Sequence, residues 1–198
     1  VLIMPTVQNL KKKLQIILST RKLTQAMKTA STVKYAKLSA LYSDYEKYEA
    51  QCNRMYQTYR KDINSVFPIK NQDAPVLYIL LSSNKGMCGS FNTELLSFFD
   101  ILISKKEKKP VILCYGKKGR EYLDNTKIPY SEAFVLEDVP SYADGCELFE
   151  RVKKLIEAGE ISAVKIVYPR YRNMMKQSPV CVDLFSYDEG IAEGEEPL

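Results

Sequence analysis

Histidine is absent from this chain of 198 residues. That removes the commonest general base, the commonest metal ligand and every His-based catalytic triad. An enzyme built on Lys, Glu or Cys stays open, but catalysis becomes the less favoured class. Cysteine is sparse. Cys52, Cys88, Cys114, Cys146 and Cys181 are odd in number and far apart, which argues against a disulfide framework or a structural zinc site and fits a reducing compartment. Long apolar runs are missing too. The longest, Val76–Leu81, has the length of a buried strand and falls far short of the roughly 20 residues that span a bilayer. No signal peptide is recognisable, and a first residue that is not methionine suggests a processed or trimmed form.

Two further absences shape the amino-terminal third. From Thr6 to Phe67 there is neither glycine nor proline, with Pro5 and Pro68 at the ends. The stretch predicts one continuous helix, roughly 90 Å long at about 1.5 Å per residue. No domain of this size is that wide, so most of such a helix is expected to project and to need a partner or serve as a shaft. Acidic residues are missing before Asp44, where eight basic ones stand: Lys11, Lys12, Lys13, Arg21, Lys22, Lys28, Lys34 and Lys37. The basic end is expected to meet an acidic partner, whether nucleic acid, anionic lipid or protein; a solvated helix face is the plainer alternative. The charge reverses after Lys176, with six acidic residues and no basic one.

What is present begins with apolar spacing. Val7, Leu10, Leu14 and Ile17 recur at threes and fours, and so do Leu38, Leu41, Tyr45, Tyr48, Cys52, Met55 and Tyr59. Both series read as coiled-coil seams, not in one register. Between them Ser19–Lys34 is rich in Ser, Thr and Ala, which lets a neighbouring helix approach closely. Beyond Pro68 the pattern alternates. Strands are expected at Val76–Ser82, Val111–Tyr115, within Ile128–Phe134, at Ala163–Arg172 and at Pro179–Ser186, the last two as a hairpin across Asn173–Ser178. Helices are expected at Phe91–Ser104, Lys117–Leu123 and Tyr142–Ala158, the third amphipathic through Cys146, Phe149, Val152, Leu155 and Ile156. The fold class is α/β: a long coiled-coil helix (1–67), a Rossmann-like, mostly parallel α/β domain covered on both faces (68–187), and an acidic disordered tail (188–198).

The loop from Ser82 to Asn92 follows the first strand and leads into a helix, where many α/β proteins cradle phosphate. Only Gly86 and Gly89 are present, so neither the dinucleotide fingerprint nor the P-loop is complete. A tight strand-to-helix turn is the preferred reading. Cys88 sits near a helix start, where a thiol can be activated, but with no histidine a buried structural cysteine is preferred. Gly116–Arg120 is a small basic turn. Tyr168–Arg172 mixes aromatics with Arg, which suits single-stranded nucleic acid or, equally, a strand edge covering a helix.

In this order the features resemble a known family. Leu23-Thr24-Gln25-Ala26-Met27-Lys28-Thr29-Ala30-Ser31-Thr32-Val33-Lys34 is similar to the amino-terminal helix of the gamma subunit of rotary F-type ATP synthases. Ser82-Ser83-Asn84-Lys85-Gly86-Met87-Cys88-Gly89-Ser90-Phe91-Asn92 is similar to that family's loop S-[ST]-D-R-G-L-C-G-x-x-N. The resemblance implies a non-catalytic central-stalk subunit without cofactor. Its Rossmann-like sheet binds no nucleotide, and its helix pairs with a carboxy-terminal helix inside a ring of alpha and beta subunits. The domain then stands against the membrane rotor c-ring and a delta/epsilon-type stalk subunit, with no nucleic-acid partner. Met27, Lys28, Lys34 and Lys37 would face an acidic loop of the beta subunits, and Gly86, Cys88, Gly89 and Asn92 would form the structural loop. The family's carboxy-terminal helix is not among these residues, Asn84-Lys85 replaces Asp-Arg, and the second half of the helix is unusually rich in Tyr. Lack of a chloroplast-type cysteine insertion and the non-methionine start favour a mitochondrial inner-membrane location on the matrix side, with a bacterial plasma membrane as the alternative. The competing function is nucleic-acid binding by the basic helix; a third is a small enzyme using Cys88 or Lys85.

Overall fold

The structure, a computed structural model, describes residues 7–66, 71–105, 108–135, 139–184 and 192–193. The chain divides into two units, Val1–Arg60 and Lys61–Leu198. The first consists of α1, an unbroken helix of 60 residues (Val7–Val66) that ends within the second. Nothing in this stretch lacks an N–H or adds backbone freedom, so the ladder of helical hydrogen bonds has no place to fail. Its side chains behave unlike those of an ordinary domain helix. Through Tyr59 none is buried, and only Lys34, Leu38, Cys52 and Tyr56 are even half-buried. The hydroxyls of Thr20, Thr24, Thr29 and Thr32 donate to carbonyls four residues back, at 2.9–3.1 Å. Each polar group is thereby turned inward, and the surface it leaves is small and weakly polar.

The second unit carries the core. Its sheet joins β1 (Val76–Leu81), β2 (Val111–Tyr115), β3 (Glu132–Phe134), β4 (Ala163–Asn173), β5 (Lys176–Asp183) and β6 (Ala192–Glu193) in the order β3-β2-β1-β4-β5-β6. The β1–β2, β1–β4 and β2–β3 pairs are parallel; β4–β5 and β5–β6 are antiparallel. Between the strands come α2 (Phe91–Ser104), α3 (Lys117–Thr126) and α4 (Tyr142–Glu157). Strand periodicity explains why β1 is almost wholly apolar. Tyr78 and Leu80 face α2 and α3, packing with Leu95, Leu96, Phe99 and Leu123, whereas Leu77 and Ile79 face α4, packing with Val152 and Ile156. Each fully buried Leu or Phe of this set contributes about 1.5–3 kcal/mol relative to exposure.

Polar groups fix the flanks. Arg151 on α4 reaches Glu132 of β3 at 2.5 Å and Glu147 at 2.9 Å, with its guanidinium 4.8 Å above the Phe134 ring. The Tyr122 hydroxyl donates to Asp100, joining α3 to α2; burial and then this bond push its ionisation up to about 12. A capping box between Ser141 and Asp144 starts α4, and Lys165 pairs with Asp183 across β4 and β5 at 3.0 Å.

Several expected details differ. Helix α3 runs three residues past Leu123, to Thr126, because Lys127 adopts a left-handed conformation (φ 56°) that closes it. The β4–β5 turn tightens to Met174–Met175 rather than spanning Asn173–Ser178. Cys146 and Phe149 are exposed, since α4 buries only its second half, at Val152 and Ile156. Ala192–Glu193 pairs with Val180–Cys181, within the stretch expected to be a disordered tail; the rest of 188–198 lies outside the described residues.

Candidate functional site

Two sets of residues were expected to matter, one on each unit. On α1, Met27, Lys28 and Lys37 are exposed and Lys34 is half-buried. They do not form one flat patch. Lys28 lines an open concavity of about 420 Å³ with Ile17, Thr20, Arg21, Thr24 and Gln25, on the face of the first apolar series. Lys34 lies one turn before Leu38, on the face where the second series begins. Six residues along a helix is about a third of a turn off any shared line, so Lys28 and Lys34 point to different sides. A partner touching all four must surround the helix or be more than one body.

The loop after β1 is organised by its own side chains. Asn92, in the first turn of α2, accepts from Ser83 Oγ (3.0 Å) and Ser83 N (3.4 Å) and donates to Cys88 Sγ at 3.1 Å. This clamps the loop from both ends. Gly89 takes φ 61°, which glycine tolerates; Met87 takes φ 58° and is 94% exposed. Cys88 is exposed, not buried as expected, and its sulfur accepts from Asn92. Gly86 has only ordinary contact, with Lys118.

The same loop takes up the free N–H groups at the start of α3. Lys117 N donates to Asn84 Oδ1 (3.2 Å), Lys118 N to Ser83 O (2.9 Å) and Gly119 N to Ser82 Oγ (2.8 Å). These three donors are groups a phosphate would use at a helix start, and protein acceptors hold them all. Gly116, at φ 103°, leaves no room for a side chain: a Cβ there would lie 2.3 Å from Ser82 O. The pairing of Ser82, Ser83 and Asn84 with α3 was missed in the sequence, because it joins residues more than thirty positions apart. A run of small polar residues directly after an apolar strand is the signal that points to it. Among the thiols, Cys114 is buried, and burial pushes it up to about 11, so it is no nucleophile at neutral pH. Among the described residues no cluster of acidic or cysteine side chains suits a metal ion.

A family model described as ATP synthase matches residues 6–197, across both units. The chain belongs to the ATP synthase gamma family. It is 27% identical over 192 residues to the ATP synthase gamma chain of Clostridium botulinum, covering 94% of this chain and 68% of that one. It is 29% identical over 180 residues to the ATP synthase gamma chain of Clostridium beijerinckii, covering 88% and 64%. Among solved structures, a chain of the Euglena gracilis mitochondrial ATP synthase (OSCP/F1/c-ring) superposes with a TM-score of 0.60 at 19% identity, covering 90% of this chain and 58% of that one. A chain of the Tetrahymena thermophila mitochondrial ATP synthase central stalk/c-ring gives 0.52 at 18% identity, covering 65% and 58%. The likeness to these structures is one of fold. The chain spans about two thirds of the length of these bacterial relatives and 58% of each solved chain.

Proposed function

We propose that this chain is a non-catalytic central-stalk subunit, whose long helix transmits rotation to a ring of alpha and beta ATPase subunits. One observation carries the reading: α1 presents two apolar series and eight early cations, with none of its described side chains buried. Such a helix is not held by propensity alone, and its stripe calls for cover by other polypeptide. Lys28, Lys34 and Lys37 then supply charge toward an acidic loop of the beta subunits, with Met27 in contact. Their placement on different sides of the helix suits a shaft enclosed by a ring. Asymmetric contacts of such a shaft bias each beta subunit toward one conformation, so that rotation shifts their populations.

The remaining partners follow from the same reading: a membrane rotor c-ring and a delta/epsilon-type stalk subunit against the α/β domain. No described helix is long and apolar enough to cross a membrane. The location is the matrix side of a mitochondrial inner membrane or the cytoplasmic side of a bacterial plasma membrane. The bacterial gamma chains favour the second, and fractionation of the source cell with its alpha and beta subunits decides between them. The donors at α3 being held by Asn84, Ser83 and Ser82 argues for a loop that shapes the domain rather than one that binds nucleotide. The functional test is the double reversal Lys28→Glu with Lys34→Glu in the assembled enzyme. Coupled ATP hydrolysis should fall; unchanged hydrolysis and coupling would remove these residues from the shaft contact.

A further inference from the structure

The β4–β5 hairpin extends beyond the sheet that supports it. β4 pairs with β1 only from Ala163 to Val167, yet its ladder with β5 continues to Asn173. Tyr168 still pairs with Val180, which β6 covers at Glu193, so the last five residues of β4 form a two-stranded arm, about 17 Å long at 3.3–3.4 Å per residue. Every residue from Tyr171 to Lys176 is exposed, with Met174 at 68% and Met175 at 94%. A two-stranded ribbon has little stability of its own in water, and two methionines at its tip add none.

The tip is nonetheless built to hold one shape. Asn173 Oδ1 accepts from Met175 N (2.9 Å) and Lys176 N (2.8 Å), and the Gln177 amide donates to Asn173 O (3.0 Å) and Met174 O (3.3 Å). Side chains thus fix the turn that thrusts both methionines outward. The charge is of one sign: no Asp or Glu occurs between Glu160 and Asp183, while Arg170, Arg172 and Lys176 flank the tip. Pro169 and Pro179 face each other on the arm, and neither offers an N–H, which disfavours docking by strand addition. What remains for recognition is side chains: two guanidinium groups suited to carboxylates, and a flexible sulfur-bearing apolar tip that adapts to a hollow.

We infer that this arm, through Arg170, Arg172, Met174 and Met175, docks an acidic protein segment with an apolar hollow at its centre. The contact is separate from the shaft residues and does not depend on the ring subunits. Two aligned features favour a protein over a lipid surface: the Arg content, which suits bidentate carboxylates, and a preorganised turn, which lowers the cost of a specific fit.

The test places a photoreactive p-benzoylphenylalanine at Met175 in the full chain, within the complex it copurifies with, and maps the adduct by mass spectrometry. A single protein segment carrying several carboxylates is expected. Its yield should fall at least about tenfold in Arg170→Glu with Arg172→Glu, where like charges meet, and be largely retained in Arg170→Lys with Arg172→Lys. A phospholipid adduct, an adduct to a neutral or basic segment, an adduct within residues 188–198 of the same chain, or none at all overturns the proposal. Should the reversed variant fold poorly, the composition of the segment trapped by the otherwise unaltered chain still decides. The Lys28→Glu and Lys34→Glu shaft variant should leave the adduct unchanged, so the two readings fail separately.

Discussion

The helix α1 and the α/β domain use the same kinds of residue to opposite ends. In the domain, Leu77, Ile79, Leu95 and Phe99 are sealed completely, each from two or more elements of the same chain. On α1, Leu10, Leu14, Ile17 and Leu23 are all more than half exposed. The domain's apolar residues encode its own fold. Those of the helix encode an interface, and their stabilising effect is realised only when another surface covers them. Polar groups divide the same way: Arg151, Asn92 and Asn84 join distant parts of the domain, whereas the threonines of α1 bond to their own helix four residues back.

The sharpest way to break this comparison is to truncate one apolar residue on each side. Phe99→Ala should destabilise the domain by about 3–5 kcal/mol in urea unfolding of the free chain. Leu14→Ala should change that stability by less than about 0.5 kcal/mol and yet weaken assembly with partner subunits. Equal effects on the free chain would mean that the helix is packed by its own chain. Next in size, Gly116→Ala should cost about 1–3 kcal/mol from the left-handed backbone alone, with the clash against Ser82 adding to it. Far-UV circular dichroism with denaturant would detect the loss in the domain, and an unaltered midpoint would remove this close approach from the account.

A smaller effect is expected from the shaft cations. Each exposed pair is worth about 0–1 kcal/mol, so the double reversal of Lys28 and Lys34 should cut coupled turnover several-fold while leaving domain stability unchanged. Smallest is a dependence on alkali. Cys114 ionises at about 11 when folded against 9.0 ordinarily, and Tyr78 at about 12 against 10.0, both chiefly through burial. A raised folded value means stability that is complete below the ordinary value and lost as pH rises through the folded one. Urea midpoints should therefore hold to about pH 9 and decline between 9 and 12, and Cys114→Ala should soften the first part of that decline.

Much of this was legible in the sequence. The extent of α1 followed from missing Gly and Pro, and Phe91–Ser104 and Val111–Tyr115 coincide with α2 and β2, because their apolar spacing and bordering loops were unambiguous. What stayed hidden was non-local. Asn84 reaches the N–H of Lys117, a bond no spacing rule reports. The exposure of Cys88, whose sulfur accepts from Asn92, and that of Cys146 and Phe149 on α4, where Val152 and Ile156 are the buried residues, were not legible. Periodicity marked α4 as amphipathic, but could not say how far along the helix the sheet extends. The distal pairing of β4 with β5, which makes the arm, was foreseen only as a hairpin.

The most direct trial of the central claim is amide hydrogen exchange along α1, measured in the free chain and again in the native complex, with the partner subunits identified by mass. The account requires rapid exchange over residues 7–59 in the free chain, strong protection on assembly, and alpha and beta ATPase subunits among the partners. A helix already protected in a free monomer, or one that gains no protection in the complex, would contradict it.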